Sequence, residues 1–137
     1  MDRTGRPALA EEYRQRRERV LSSVEKLCFD KALGLYREGT DFPQYSSHAQ
    51  AWAVPNGLKK GSDAETLLRT AMDRDGCLVY IFSTSFEWFR ALEQAGMFPE
   101  MRRELQSWID LPDRNCTCCP ETPTNVAMPG ALCRCMR

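Results

Sequence analysis

The stretch Tyr80-Ile-Phe-Ser-Thr-Ser-Phe-Glu-Trp-Phe-Arg-Ala-Leu-Glu-Gln-Ala-Gly96 decides whether this chain is helical throughout or mixes helix with sheet. Its approach, Cys77-Leu-Val-Tyr-Ile-Phe82, is apolar and β-prone in isolation. Its remainder sets Phe86, Phe89, Leu92 and Ala95 at three-residue steps, the recurrence of one helix face, and Gly96 supplies a C-terminal stop. The spacing predicts one helix over residues 81–95, with an extended first turn as the variant.

Working outward, Pro99 opens a further helix carrying Met101, Leu105, Trp108 and Ile109, stopped near Pro112. Upstream, Ser62-Asp-Ala-Glu65 reads as a capping box, with Ser62 as cap and Glu65 reaching back. The helix it opens places Ala64, Leu67, Leu68, Ala71 and Met72 on one face, ending at Asp75-Gly76. A shorter helix is expected from Ser46 or Ser47 to Asn56, with Asn56-Gly57 as its stop. Residues 30–40, with Gly34 and Gly39 around Leu35-Tyr36-Arg37, read as a short extended segment or loop. Over residues 7–29 the apolar positions Leu9, Tyr13, Val20, Leu21, Val24, Leu27 and Cys28 make an amphipathic stripe, with Pro7 suited to a first turn. Roughly five helices on short connections predict an all-α fold of antiparallel αα-hairpins.

The chain has 137 residues, which allows one domain and excludes a large multi-layered enzyme. Nineteen basic residues balance 19 acidic ones, so no net field favours nucleic acid or an anionic membrane. Arg14, Arg16, Arg17 and Arg19 are interleaved with Glu11, Glu12, Glu18 and Glu25, the pattern of a solvated helix face with ion pairs. No apolar run approaches the roughly 18 residues of a membrane span. The first residues lack the apolar core of a secretory signal, so the default expectation is a cytoplasmic chain. Seven cysteines without such a signal point to a reducing compartment rather than a disulfide framework.

Five of those cysteines, Cys116, Cys118, Cys119, Cys133 and Cys135, crowd the C-terminal segment. Four thiolates suffice for a tetrahedral zinc site, yet only Cys116 and Cys119 have the Cys-x-x-Cys spacing at which two sulfurs converge. No metal or cofactor is assigned on that pattern. His48 stands in Tyr45-Ser-Ser-His-Ala-Gln-Ala-Trp52. Either His48 and Gln50 donate into a polar pocket floored by Trp52, as aromatic and planar polar groups bind sugars, or Ser46 or Ser47 caps a helix with Trp52 in the core. A Ser-His-Asp hydrolase is not supported, because no Gly-x-Ser-x-Gly elbow exists. Glu121, between Pro120 and Pro123, is either a general base on a stiff loop or part of an ordinary surface loop.

Three stretches in order resemble glycoside hydrolase family 78, the α-L-rhamnosidases. Tyr45-Ser-Ser-His-Ala-Gln-Ala-Trp-Ala-Val54 resembles the family's Tyr-Ser-x-His-x-x-Ala-Trp-Ala segment. The stretch quoted at the outset resembles its aromatic helix ending in Ala-Leu-x-x-Ala-Gly. Thr117-Cys-Cys-Pro-Glu-Thr-Pro123 is similar to its Thr-Thr-Trp-Pro-Glu-x-Pro loop, and Val24-Glu-Lys-Leu-Cys-Phe-Asp-Lys-Ala-Leu-Gly-Leu-Tyr-Arg37 fits the preceding helix and turn. The resemblance covers residues 8–126 and leaves 127–137 as a divergent tail, for which a reading-frame slip or an alternative exon end is the expected origin.

The resemblance implies the C-terminal part of an (α/α)6 six-hairpin barrel and inverting hydrolysis of terminal α-L-rhamnose. In that mechanism two carboxyls stand roughly 6.5–9.5 Å apart, one protonating the leaving oxygen and the other activating water. Glu121 falls on the family's general base, and His48, Gln50 and Trp52 fall on its barrel-lining, substrate-binding segment. The family's general acid lies upstream of anything in this chain, so the isolated chain is expected to be inactive. The implied partner is a rhamnose-containing glycoside, with self-association or a complementing chain covering the open arc. The alternative is a small helical interaction module with a Cys-rich, zinc-binding tail.

Overall fold

A computed structural model describes residues 5–81 and 84–114. Helix α1 is Pro7–Cys28, followed by strands β1, Phe29–Asp30, and β2, Leu35–Tyr36; then come α2, Ser47–Ala53, α3, Ser62–Asp73, α4, Ser85–Gln94, and α5, Phe98–Ile109. A 3-10 turn over Pro112–Arg114 closes the described part. The described residues are therefore mostly helical, with one small two-stranded antiparallel sheet among them.

That pair is a hairpin in which Phe29 faces Tyr36 and Asp30 faces Leu35. Asp30 folds its own turn: its Oδ1 accepts from the backbone N–H of Ala32 at 3.0 Å and of Leu33 at 3.3 Å. Gly34 then reverses the chain at φ +69°, a conformation other residues adopt at a cost. The extended segment expected over residues 30–40 thus supplies β2, one half of a hairpin whose other half, β1, follows directly on α1.

The core lies where α2, α3 and α4 meet. Helices α3 and α4 both pack on α2, and α5 packs on α4. Helix α3 buries Ala64, Leu67, Leu68 and Ala71, the i, i+3, i+4, i+7 set its sequence shows. Helix α4 contributes Trp88, Ala91 and Leu92, and Met97 follows from the turn after it. Strand β2 inserts Leu35 and Tyr36 from the side. Leu35, Leu68 and Leu92 are fully buried.

Three boundaries differ from the sequence expectation. The predicted capping box does not form: Ser62 is already the first helical residue and Gly61, at φ +53°, holds the cap position. Glu65 turns forward instead, its Oε1 accepting from Arg69 at 2.9 Å, and its backbone N–H bonds the Gly61 carbonyl. Helix α2 ends at Ala53, three residues early, because Pro55 has no N–H to continue the ladder. Helix α4 begins at Ser85 rather than 81. In the β-prone run before it, Leu78 forms a parallel bridge with Ser46: Leu78 N–H donates to the Tyr45 carbonyl at 2.9 Å and Ser47 N–H to the Leu78 carbonyl at 2.8 Å. Backbone bonds to a distant segment win over one more helical turn.

Candidate functional site

Helix α2 carries all three residues expected to touch a sugar, and the helical period separates them. Ser46 caps the helix, its Oγ accepting from Ala49 N–H at 3.0 Å, as one of the two sequence readings has it. His48 and Trp52, one turn apart, share the outer face: Trp52 Nε1–H donates to His48 Nε2 at 3.0 Å, and the rings meet edge to face at 6.1 Å. An accepting Nε2 puts the proton of a neutral His48 on Nδ1. Trp52 remains 46% exposed, so it is not a core residue.

Gln50 points the other way. It is fully buried, and its carboxamide is spent on the backbone. Oε1 accepts from Tyr36 N–H at 2.8 Å, while Nε2 donates to the carbonyls of Tyr36 at 2.8 Å and Ser46 at 2.9 Å. The side chain acts as a substitute strand, pairing the free edge of β2. The structure therefore brings half-buried His48 and exposed Trp52 together on one side of α2, with His48 Nδ1 buried, and leaves Gln50 behind them as the clamp holding α2 to the hairpin. Ser47, Gln50, Ala51 and Val54 keep the i, i+3, i+4, i+7 spacing of a buried face, and all four are buried. That spacing was the sequence signal for an inward Gln50.

Trp52 is also one wall of a groove of about 610 Å³ between α1 and α2. Tyr13, Val20, Leu21 and Val24 line it from α1, and Ala53 and Leu58 from the opposite side. Arg16, Arg17, Arg37 and Glu38 supply its polar groups. Three of them are already engaged in holding the groove's shape: Arg17 donates to the Asn56 carbonyl at 2.6 Å, Arg37 donates to the Leu27 carbonyl at 3.0 Å, and Glu38 accepts from the Ser46 hydroxyl.

A second constellation at the end of α1 was missed by sequence reasoning. Lys59 Nζ lies 2.7 Å from Glu25 Oε1 and 3.8 Å above the Phe29 ring centroid. The Tyr36 hydroxyl donates to the other Glu25 oxygen. Partial burial pushes the Glu25 carboxyl up, but the hydrogen bonds from Lys59 and Tyr36 and the lysine charge outweigh it and hold it below its ordinary value. Burial and the Glu25 bond together raise the Tyr36 phenol. These groups join α1 to its neighbours from positions 34 residues apart, a pairing no local pattern announces.

A smaller cavity of about 120 Å³ lies behind the Ser46–Leu78 bridge, lined by Ser47, Cys77, Tyr80, Trp88 and Glu104 among others. Tyr80 stacks on Trp88 at 5.7 Å and donates to Glu104 Oε2 at 3.0 Å. Desolvation raises the Cys77 thiol, the direction opposite to an activated nucleophile. Among the described residues no three His, Cys, Asp or Glu side chains converge as a metal site. No described helix is long and apolar enough to cross a membrane. Glu121 and the five cysteines of the C-terminal segment lie outside the described residues. Compared with family models, curated proteins and solved structures, the chain matches none.

Proposed function

We propose that this chain is a piece of an α-L-rhamnosidase-like glycosidase, the C-terminal part of a six-hairpin barrel, with Glu121 as the general base. The observation that carries the reading is the neighbourhood of two of the resembling stretches. The Tyr45–Val54 segment and the Tyr80–Gly96 segment are far apart in sequence, yet they are joined by the Ser46–Leu78 bridge and by the packing of α2 on α4. Helices meeting in this way fit the inner and outer layers of a hairpin barrel. In this reading Trp52 offers an apolar ring face to the sugar and His48, whose Nε2 accepts from the Trp52 indole, holds that ring in place. Gln50 sets the position of both from behind.

One carboxylate can take a proton from water but cannot also give one to the leaving oxygen, so the chain alone should not turn over an aryl α-L-rhamnoside. The test is to read the gene upstream of Met1 and express whatever continuous frame it encodes. The reading expects further helical hairpins, inverting hydrolysis of the aryl rhamnoside, and a loss of about 10²–10⁴ in kcat for Glu121→Gln. An upstream frame with no hairpins, or turnover unchanged by that substitution, removes it.

The second reading, a helical interaction module, is favoured by a different observation. The longest helix among the described residues, α1, buries none of its residues, and a groove of about 610 Å³ runs along it.

A further inference from the structure

The groove between α1 and α2 combines an apolar floor with one unspent hydrogen-bond donor. Leu21, Val24, Cys28, Ala49 and Leu58, all half-buried, and buried Ala53 make the floor, so the groove does not depend on the exposed outer side of α1. Its α1 lining runs from Tyr13 to Cys28, roughly 22 Å of helix axis, which makes the space elongated. A volume of about 610 Å³ is that of a small-molecule site.

The charges along the groove restrict what it can hold. Arg16 and Arg17 are exposed, and the neighbouring Glu12 and Glu18 on α1 are exposed as well, so that end is of mixed sign and screened by water. At the other end Arg37 is half-buried, its backbone N–H on the Cys28 carbonyl at 2.9 Å and Nη2 on the Leu27 carbonyl at 3.0 Å. Two carboxylates keep it company. Glu38 follows it in sequence and accepts from the Ser46 hydroxyl, and Asp30 accepts from the Tyr45 hydroxyl at 2.8 Å. That Tyr45 bond, with the Arg37 charge as a lesser cause, holds the Asp30 carboxyl below its ordinary value. The Arg37 Nε–H, by contrast, is buried and has no acceptor among the described residues. A buried donor left unbonded is costly, so an oxygen placed on it is favourable. With the guanidinium charge already balanced, that oxygen is neutral; a ligand carboxylate would add a third negative charge beside Glu38 and Asp30.

We propose that the groove binds an elongated aliphatic molecule ending in a neutral carbonyl or hydroxyl oxygen. The oxygen accepts from Arg37 Nε–H, and the chain lies over Val24 and Leu21 with Trp52 as the opposite wall. The inference rests on Arg37 and the groove floor and stands apart from the glycosidase reading.

Nuclear magnetic resonance of the full chain, titrated with decan-2-one and followed at the arginine Nε–H signals, tests it. The Arg37 signal is identified by its loss in Arg37→Lys. It should move downfield as the ketone is added and saturate at one molecule per chain. Decanoate should bind at least about tenfold more weakly, because its charge meets Glu38 and Asp30. Val20, 55% exposed on the rim, can be changed without disturbing the core. Val20→Asp should weaken ketone binding at least about tenfold with an unchanged circular dichroism spectrum, because it sets a carboxylate beside the aliphatic chain. An Arg37 signal that does not move overturns the proposal, as it would if the chain's own C-terminal segment already filled the groove. Decanoate binding as tightly as the ketone, several ketone molecules per chain, or indifference to Val20→Asp overturns it equally.

Discussion

Helices α1 and α2 invert the usual relation between length and anchorage. Helix α1 has 22 residues and buries none of them; α2 has seven and buries Ser47, Gln50, Ala51 and Ala53. By local criteria α1 is the better helix, with long uninterrupted periodicity, Pro7 at its start and side-chain pairs such as Arg14 to Glu11. Helix α2 is too short to form alone, since a nucleus of one turn has little propagation to offset it. It exists because Ser46 caps it, Gln50 binds it to β2, and α3 and α4 close over it. Intrinsic helicity makes an element; the density of buried contacts makes it part of a core.

The comparison breaks most visibly if a core residue proves dispensable. Leu92, fully buried on α4, should lose about 3 kcal/mol on Leu92→Ala, read from the urea midpoint. Val20→Ala on α1 should stay within about 0.5 kcal/mol in the same titration. Near-equal losses would mean that α1 is packed as tightly as the core. Gln50→Leu comes next, at about 2–3 kcal/mol, because the Tyr36 N–H and carbonyl are left buried without a partner. A neutral result would show that water reaches the β2 edge. Ser46→Ala removes the cap bond together with the hydrogen bond that Ser46 gives Glu38, and should cost about 1–2 kcal/mol, with amide exchange accelerated at Ala49.

The smallest effect sharpens the picture at the other helix. Glu25 is held below its ordinary value in the fold, so its contribution is present above the unfolded carboxyl range and is lost as pH falls through the lowered folded value. The Glu25 side chain is 40% exposed, and solvent screening keeps the contribution well under about 1 kcal/mol. Acidification should therefore release the α1 attachment before the core opens. Amide exchange resolved along the chain should show α1 losing protection at higher pH than α4, and Glu25→Gln should flatten that difference.

The same contrast explains what was legible beforehand. Helices α1, α3 and α5 follow from apolar period and Pro placement, signals carried within each segment. The start of α4 does not, because residues 77–81 are apolar enough for either state and the choice depends on Ser46, about 30 residues away. The capping box at Ser62 was misleading for a related reason. Glu65 has two uses of similar worth, and Arg69, one turn ahead, takes it. At the candidate site, the grouping of His48 and Trp52 was readable from a spacing of four. The inward turn of Gln50 was encoded in the period of buried neighbours, while the Glu25, Tyr36 and Lys59 cluster was not encoded locally at all.

The sequence by itself determined that this chain is built from helices, where most of them stop, and which faces of α3 and α4 are apolar. Those properties depend on neighbours within a turn or two, and the period records them. Only the tertiary structure decided that β2 is completed by a glutamine side chain, that an apolar run becomes a bridge instead of a helical turn, and that the longest amphipathic helix stays outside the core. Each of those outcomes is a competition for buried partners between segments distant in sequence, and burial is settled only when the segments meet.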